Sequence, residues 1–138
     1  MAILISANDR VPVEFGDVTI DFAPIAQGKK ITLTQMFQHA GTDYSKIIEA
    51  SRELLKHTIK NVVGVFYSDE QPFVLEMANN VVTDSCLDDL CNLDFFEKLI
   101  TVGGMFLSSS PKEGQLIHPA TGEVIEGVTV KKSYRVKI

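Results

Sequence analysis

The sequence lacks several features that would assign it to a particular class of protein. No apolar run approaches the roughly 18 to 20 residues that a membrane-spanning helix needs. The opening MAILISANDR has neither the basic segment nor the small-residue cleavage site of a secretory signal. Cysteine occurs only twice in 138 residues, too seldom for a disulfide framework. We therefore expect free thiols and a cytosolic protein with no membrane partner.

Motifs for metal binding are also scarce. Cys86 and Cys91 are five residues apart, whereas redox and zinc pairs usually have the spacing Cys-x-x-Cys. Further ligands would have to come from histidines that occur singly in unrelated contexts, namely His39, His57 and His118. We predict that both cysteines are buried structural thiols and that there is no metal site.

Covalent catalysis and phosphate binding lack their usual signatures. There is no Gly-x-Ser-x-Gly motif, and the serines at 108–110 lie in a composition typical of a loop. In AQGKKIT, Lys30 occupies the position where a phosphate-binding loop has serine or threonine. We predict a protein that is not an enzyme and needs no cofactor.

Charge is distributed unevenly, and basic residues are missing from the middle of the chain. Between Lys60 and Lys98 there are eight acids and no Lys or Arg: Asp69, Glu70, Glu76, Asp84, Asp88, Asp89, Asp94 and Glu97. From Gly127 onward the reverse holds, with Lys131, Lys132, Arg135 and Lys137 and no acid. The net charge of −5 argues against a nucleic-acid partner. Such a chain could bind itself or a partner of complementary charge; the alternative is a solvated face and a soluble final strand.

What the sequence does contain predicts a single α+β domain over residues 1–138. With 45% hydrophobic and 22% charged residues, the chain can bury a core of its own. We predict a β segment at 1–25, a helical core of about four helices at 32–107, and a β segment at 114–138. The two β segments are expected to share one sheet.

Alternating apolar residues at both ends predict short antiparallel strands. At the start these are AILIS, RVPVEF and DVTIDFAPI. We place Pro12 at an edge, because proline cannot donate to a ladder. Beyond the serine-rich loop, QLIHP, EVIEG and VTVKKSYRVKI predict a hairpin with its turn at ATG, followed by a further strand.

The first two helices are predicted from capping and periodicity. Thr32 followed by Gln35 is a capping-box pattern, and the short helix it begins should end at Gly41. Next comes a helix of about five turns, which Thr42 and Asp43 can cap. Its apolar residues recur at steps of three and four. We expect it to stop within residues 62–65, where β-branched residues accumulate.

Further helices are predicted from caps in the acidic part of the chain. One should begin at a cap at Ser68 or Asp69 and end at the two asparagines at 79 and 80. Thr83 should cap the next. Asp94, with Glu97 three residues later, should cap a last helix that runs through two glycines towards Leu107.

The acidic helix pair is the best candidate for a binding surface. Its inner residues are expected to be Cys86, Leu87, Leu90, Phe95 and Leu99, which leaves the acids on the outer faces. One interpretation is a solvated surface. The other is a partner-binding surface with apolar anchors inside an acidic rim, formed by Asp88, Asp89, Phe95, Phe96, Glu97, Met105 and Phe106.

Three consecutive segments resemble a known group of proteins. They are VTIDFAPIAQGKKITLTQMF, TDYSKIIEASRELLKHTIKNVV and VVTDSCLDDLCNLDFFEKLITVGG, read as a strand leading into a short helix, a long helix and an acidic helix pair. In this order they resemble the small tail-assembly chaperones of tailed phages. That group includes lambda-type proteins that coat the tape measure and T-even baseplate-hub assembly proteins. The likeness covers about residues 17–104.

The resemblance implies a non-enzymatic protein of the infected cell's cytoplasm. Such a protein would bind an aggregation-prone helical partner, a tape measure or a hub protein, and would often form homo-oligomers. Lys131, Lys132, Arg135 and Lys137 would then serve self-association or capture of an acidic neighbour. The C-terminal β segment departs from this helical pattern, which leaves open a structural virion protein of the tail or head-tail connector. A small regulatory protein that binds a host factor is a third possibility.

Overall fold

The two ends of the chain meet in one antiparallel sheet. The computed structural model describes residues 6–136, so Lys137 and the predicted strand AILIS, apart from Ser6, lie outside the described part. In chain order the elements are β1 (Asp9–Phe15), β2 (Val18–Phe22), α1 (Gln27–Ala40), α2 (Tyr44–Thr58), β3 (Ile59–Val63), β4 (Met77–Ala78), β5 (Val81–Val82), α3 (Asp84–Leu90), α4 (Phe96–Met105), β6 (Gly114–Ile117), β7 (Val124–Val130) and β8 (Tyr134–Arg135). The strand order is β3-β2-β1-β7-β6, with β8 paired to the start of β1. The predicted α+β class and the shared sheet are confirmed.

One face of this sheet packs against the helices. Alternate residues of β1 are buried, and the register places residues of β2 and β7 on the same face, so that Val13 lies between Ile20 and Val130. Side chains from all four helices join them in one core: Leu33, Leu54, Leu55, Leu90, Leu99 and Val102. The fold is therefore a sheet covered on one face by helices.

Pro12 lies in the central strand, not at an edge as predicted. On the side of β1 away from β2, β7 pairs with Val13–Phe15 and β8 pairs with Asp9 and Arg10. Pro12 falls between these two ladders, where its carbonyl accepts from the Lys131 amide at 2.8 Å. Because the partner strand changes at this point, the missing N–H of proline leaves no ladder bond unmade.

Helix α1 begins at Gln27, five residues earlier than the predicted cap. The Thr32 hydroxyl donates to the Gly28 carbonyl at 3.2 Å within the helix, so it bonds back along the helix and does not cap it. The N-cap is Ala26, which makes no side-chain hydrogen bond. Because alanine is not a capping residue, the sequence does not mark the start of α1. The predicted end is correct, since α1 stops before Gly41, whose φ is 55°.

Helix α2 starts as predicted but is shorter than the predicted five turns. The Asp43 carboxylate caps it by accepting from the amides of Ser45 and Lys46. It ends at Thr58, whose hydroxyl donates to the Ala23 carbonyl and whose own carbonyl accepts from the Ala23 amide. The β-branched residues that follow form β3, which pairs with β2. The prediction erred because the buried residues of β3 continue the three- and four-residue spacing of the helix.

The helix predicted between residues 68 and 80 is absent, and two small hairpins occupy this region. Glu70 has a φ of 66° in the turn of the first. Asn79 and Asn80, with φ of 53° and 64°, form the turn between β4 and β5. Asparagine tolerates this left-handed conformation, so the pair makes a tight hairpin turn where a helix end was predicted.

The acidic helix pair is present, with one wrong cap. Thr83 caps α3 by accepting from the Cys86 amide, and Cys86, Leu87 and Leu90 face inward as predicted. Helix α4 begins at Phe96 without a side-chain cap, so Asp94 does not have the predicted role. Gly103 lets α4 approach α2 closely, because a Cβ there would lie 2.8 Å from Cδ2 of Leu55.

The predicted C-terminal hairpin is confirmed. His118 and Glu123 close its turn through a backbone hydrogen bond of 2.7 Å, which encloses the predicted ATG. EVIEG and the beginning of the next predicted strand form one strand, β7, which runs through Gly127 at a φ of 75°. The Gly127 carbonyl accepts from the Gly16 amide at 3.0 Å, which ties this irregularity to the β1–β2 turn.

Candidate functional site

A groove of about 570 Å³ lies between α4 and β6 and is the leading candidate for a binding site. Its wall is mostly apolar and comes from α1, α2, α4, the segment that follows α4, and β6: Phe37, Leu54, Ile100, Met105, Leu107 and Leu116. Polar side chains without formal charge at neutral pH complete the lining: Thr101, Ser108, Ser109 and His118. Within residues 6–136, no acidic, lysine or arginine side chain lines it, so it suits an apolar segment of a ligand.

The pattern of α4 explains why the groove forms. Leu99 and Val102 point into the core, which turns Ile100, Gly104 and Met105 towards the groove. Gly104 carries no side chain, and a Cβ there would have no atom within 4 Å, so this position leaves open space. The serine-rich loop that follows α4 also forms part of the wall.

The acids of α3 already contact other groups of their own chain. Asp88 accepts from Arg52 of α2 at 2.5 Å, and Asp84 pairs with Lys56 at 3.3 Å. The hydrogen bond from Arg52 to Asp88 raises the pKa of the guanidinium. Asp89 accepts from the Tyr67 hydroxyl at 2.9 Å, which raises the pKa of that phenol. Asp88 and Asp89, predicted as partner contacts, thus already bind groups of their own chain.

The predicted apolar anchors are separated from one another. Phe106 is 1% exposed and stacks on Phe22 with ring centroids 5.2 Å apart, so the prediction that it is a surface anchor is wrong. Phe95 is half-buried and stacks on Phe15 at 5.0 Å. With Glu97 it lines a second hollow of about 400 Å³. Met105 alone among the predicted residues lines the groove, and a partner-binding role for Phe96 and Glu97 stays a prediction.

The basic C-terminal residues lie beside the start of the chain. Arg135 pairs with Asp9 at 2.9 Å, and this hydrogen bond lowers the pKa of the carboxyl. Lys131 lies 3.7 Å from Glu14, at the edge of an ion pair. Lys132 is exposed and makes no ion pair among residues 6–136. Two of the described basic residues are therefore partly neutralised within the chain.

The cysteines and histidines form no common site. Cys86 is buried, as predicted, but Cys91 is only half-buried and its sulfur lies 3.2 Å from Arg52. His57 lies 3.0 Å from Glu53, and burial lowers its pKa. Among the described residues, no three His, Cys, Asp or Glu side chains are placed to hold a metal ion together.

Sequence reasoning missed an exposed hairpin between β3 and β4. The predicted helix begins within Phe66–Pro72, which instead form this hairpin. The turn sequence SDE has aromatic residues on one side and a proline on the other. That arrangement is a hairpin signal and could have identified the element. It leaves Phe66 and Val74 64% and 68% exposed.

Comparisons with protein-family models, curated proteins and solved structures found no significant match to this chain. None of the helices within residues 6–136 has both the length and the apolar character required to cross a bilayer.

Proposed function

We propose that this chain is a non-enzymatic assembly protein that binds a helical segment of another protein in the groove between α4 and β6. In its specific form, the proposal is a tail or baseplate-hub assembly chaperone of a tailed phage, which binds a tape-measure or hub protein in the cytoplasm of the infected cell. The observation that carries it is an open, uncharged, apolar groove of about 570 Å³. The order of segments over residues 17–104 supports the phage assignment.

The lining of the groove suits the apolar stripe of an amphipathic helix. Helix-in-groove recognition uses side chains at steps of three and four residues that enter an apolar cleft. Met105 supports this role because its unbranched side chain adapts to different shapes. The Ser108 and Ser109 hydroxyls supply hydrogen bonds for polar groups at the rim.

Filling the groove tests the proposal. Gly104→Leu places a side chain in the open space of α4, whereas Gly28→Leu makes the same change in α1, where a Cβ also has no neighbour within 4 Å. Each variant is coexpressed with the tape-measure protein or the hub protein of the same phage, and copurification is measured. We expect Gly104→Leu to weaken binding by about tenfold or more and Gly28→Leu to bind like wild type. Copurification of neither partner with the wild-type chain would contradict the proposal.

A structural virion protein is the second candidate, and the open sheet edges favour it. Within the described part of the chain, β3 and β6 are the outermost strands of the sheet, and each has one unpaired side. A neighbouring subunit could add a strand there. Mass spectrometry of purified virions beside infected lysate separates the two functions, since a chaperone is absent from mature particles and a structural subunit is retained.

A further inference from the structure

The hairpin that follows β3 has two chemically different faces. We call residues 65–74 the arm. The Phe73 amide donates to the Val65 carbonyl at 2.8 Å and the Tyr67 amide to the Gln71 carbonyl at 2.9 Å, so Phe66 lies opposite Pro72. Val65 and Phe73 pack against the core, which anchors one face of the arm.

The other face of the arm is apolar and exposed. Phe66 and Pro72 are paired and therefore project to the same side, and Val74, two residues further, follows them. The register places Gly64 opposite Val74, so no side chain covers it. Single exposed apolar residues are normal, but three on one face form a patch of the kind found at interaction sites.

Acidic residues without ion pairs lie in the arm and directly after it. Asp69 and Glu70 form the turn of the arm, and Glu76 follows it; all three are exposed and make no ion pair among the described residues. The acids of α3 differ, since Asp84 and Asp88 pair with α2. The arm therefore suits a partner segment that is both basic and apolar.

The same chain carries such a segment. We call residues 131–136 the tail. Its basic residues are Lys132, which makes no ion pair among the described residues, and Lys131 and Arg135, which lie beside Glu14 and Asp9. Its side chains Tyr134 and Val136 are 46% and 37% exposed, and the Tyr134 hydroxyl donates to Asp21 at 2.5 Å. Its charge and its apolar content are thus complementary to those of the arm.

The arm and the tail are attached at opposite ends of the sheet. Val63, the last residue of β3, is aligned with Thr19, which pairs with Glu14 near the β1–β2 turn. Tyr134 pairs with Arg10, four residues from Glu14 along β1, or about 13 Å at the rise of a strand. This separation favours contact between two copies over contact within one.

We propose that copies of this chain associate head to tail, with the tail of one copy bound to the arm of the next. Lys132 of the tail faces Asp69, Glu70 and Glu76, while Lys131 and Arg135 keep their ion pairs within their own copy. The exposed Tyr134 and Val136 pack on Phe66 and Val74. In this head-to-tail arrangement each copy contacts two different neighbours, so it builds a ring or a filament, whereas a reciprocal exchange of tails between two copies would close a two-fold dimer. It uses neither the groove nor α4.

Two variants, each damaging one surface, test the proposal by sedimentation velocity over a range of concentrations. Phe66→Ser with Val74→Ser alters the arm, and Lys132→Glu with Val136→Ser alters the tail while the ion pairs of Lys131 and Arg135 remain. Ile31→Ser with Tyr44→Ser is the matched control, because it removes two exposed apolar residues elsewhere. Thermal unfolding verifies that every variant is folded.

We expect wild type and the control to form species larger than a dimer as concentration rises. Each altered chain alone should associate at least about tenfold more weakly. An equimolar mixture of the two altered chains should form a heterodimer, because one intact arm and one intact tail remain between them. Gly104→Leu should associate like wild type, which separates this proposal from the proposed function.

Three results would overturn head-to-tail association. The first is a wild-type chain that forms nothing larger than a dimer at any concentration. The second is an effect of the arm variant without one of the tail variant, which indicates arm-to-arm contact. The third is a mixture of altered chains that stays monomeric although wild type associates.

Discussion

The groove and the arm are both apolar surfaces, yet they differ in shape and in charge. The groove is concave, and none of the described acidic, lysine or arginine side chains lines it. The arm projects from the sheet edge, and acids without ion pairs accompany its exposed Phe66 and Val74. The acidic residues of the middle of the chain therefore differ: Asp84 and Asp88 pair with α2 and Asp89 bonds to Tyr67 of the arm, whereas Asp69, Glu70 and Glu76 make no ion pair among the described residues.

The strongest contrast is between the two phenylalanines Phe106 and Phe66. Phe106→Ala removes a ring stacked on Phe22 in the core and should lower the free energy of unfolding by about 3–5 kcal/mol. Phe66→Ala removes an exposed ring and should change it by less than about 0.5 kcal/mol. Urea denaturation followed by circular dichroism measures both. Equal losses would show that Phe66 is part of the core.

Ionic strength should affect binding at the arm more than binding in the groove, and this is the second largest effect expected. Raising the ionic strength from about 0.05 M to about 0.5 M screens exposed charges and should weaken self-association through the arm severalfold. Binding of a partner in the uncharged groove should change much less under the same conditions. Sedimentation and copurification at both salt concentrations provide the comparison. Equal salt dependence of self-association and partner binding would show that charge does not distinguish the arm from the groove.

Two adjacent glycines provide a smaller effect within α4. Gly103→Ala gains about 0.5–1 kcal/mol of helix propensity, but its methyl group lies 2.8 Å from Leu55 Cδ2 in the core. Since overpacking costs about 1–3 kcal/mol, the free energy of unfolding should fall on balance. Gly104→Ala meets no atom within 4 Å and should raise it by about 0.5–1 kcal/mol, because alanine favours the helix. Opposite signs in denaturation experiments would support the assignment of one face to the core and the other to the groove. A gain in both variants would contradict it.

The smallest effect concerns pH. Burial lowers the pKa of His57 in the folded protein, despite the opposing influence of Glu53, so the unfolded chain binds the proton more readily. The free energy of unfolding should therefore fall as pH decreases from about 6.5 through the folded pKa. His57→Gln should make that decline shallower, and an unchanged decline in this variant would contradict the role of His57. Urea titrations at several pH values measure the slopes.

The fold was predictable wherever a local signal agreed with the tertiary arrangement. The caps at Asp43 and Thr83, the inward face of α3 and the union of the terminal strands followed from residue type and spacing. Residues such as Ile59 and Val62 were ambiguous, because their burial in β3 has the same spacing as burial on a helix. Only pairing with β2, a contact distant in sequence, decides between the two.

The candidate site was less predictable than the fold. Met105 and Phe106 are neighbours in sequence, but one lines the groove and the other fills the core, which depends on the rotation of α4. The groove also needs Phe37 and Leu116, from elements far apart in sequence. The ion pairs of α3 require α2 beside it, so the acids looked like a free surface in the sequence alone.

Because Pro12 separates the two ladders of β1, we expect β8 to detach from β1 without the rest of the sheet. Since β7 and β8 contact separate parts of β1, loss of the β8 ladder leaves the pairing of Val13–Phe15 with β7 in place. Backbone amides near Arg135 should then exchange with deuterated solvent much sooner than those near Val130, because a local fluctuation frees them without global unfolding. Loss of β8 would thus leave the rest of the described sheet paired.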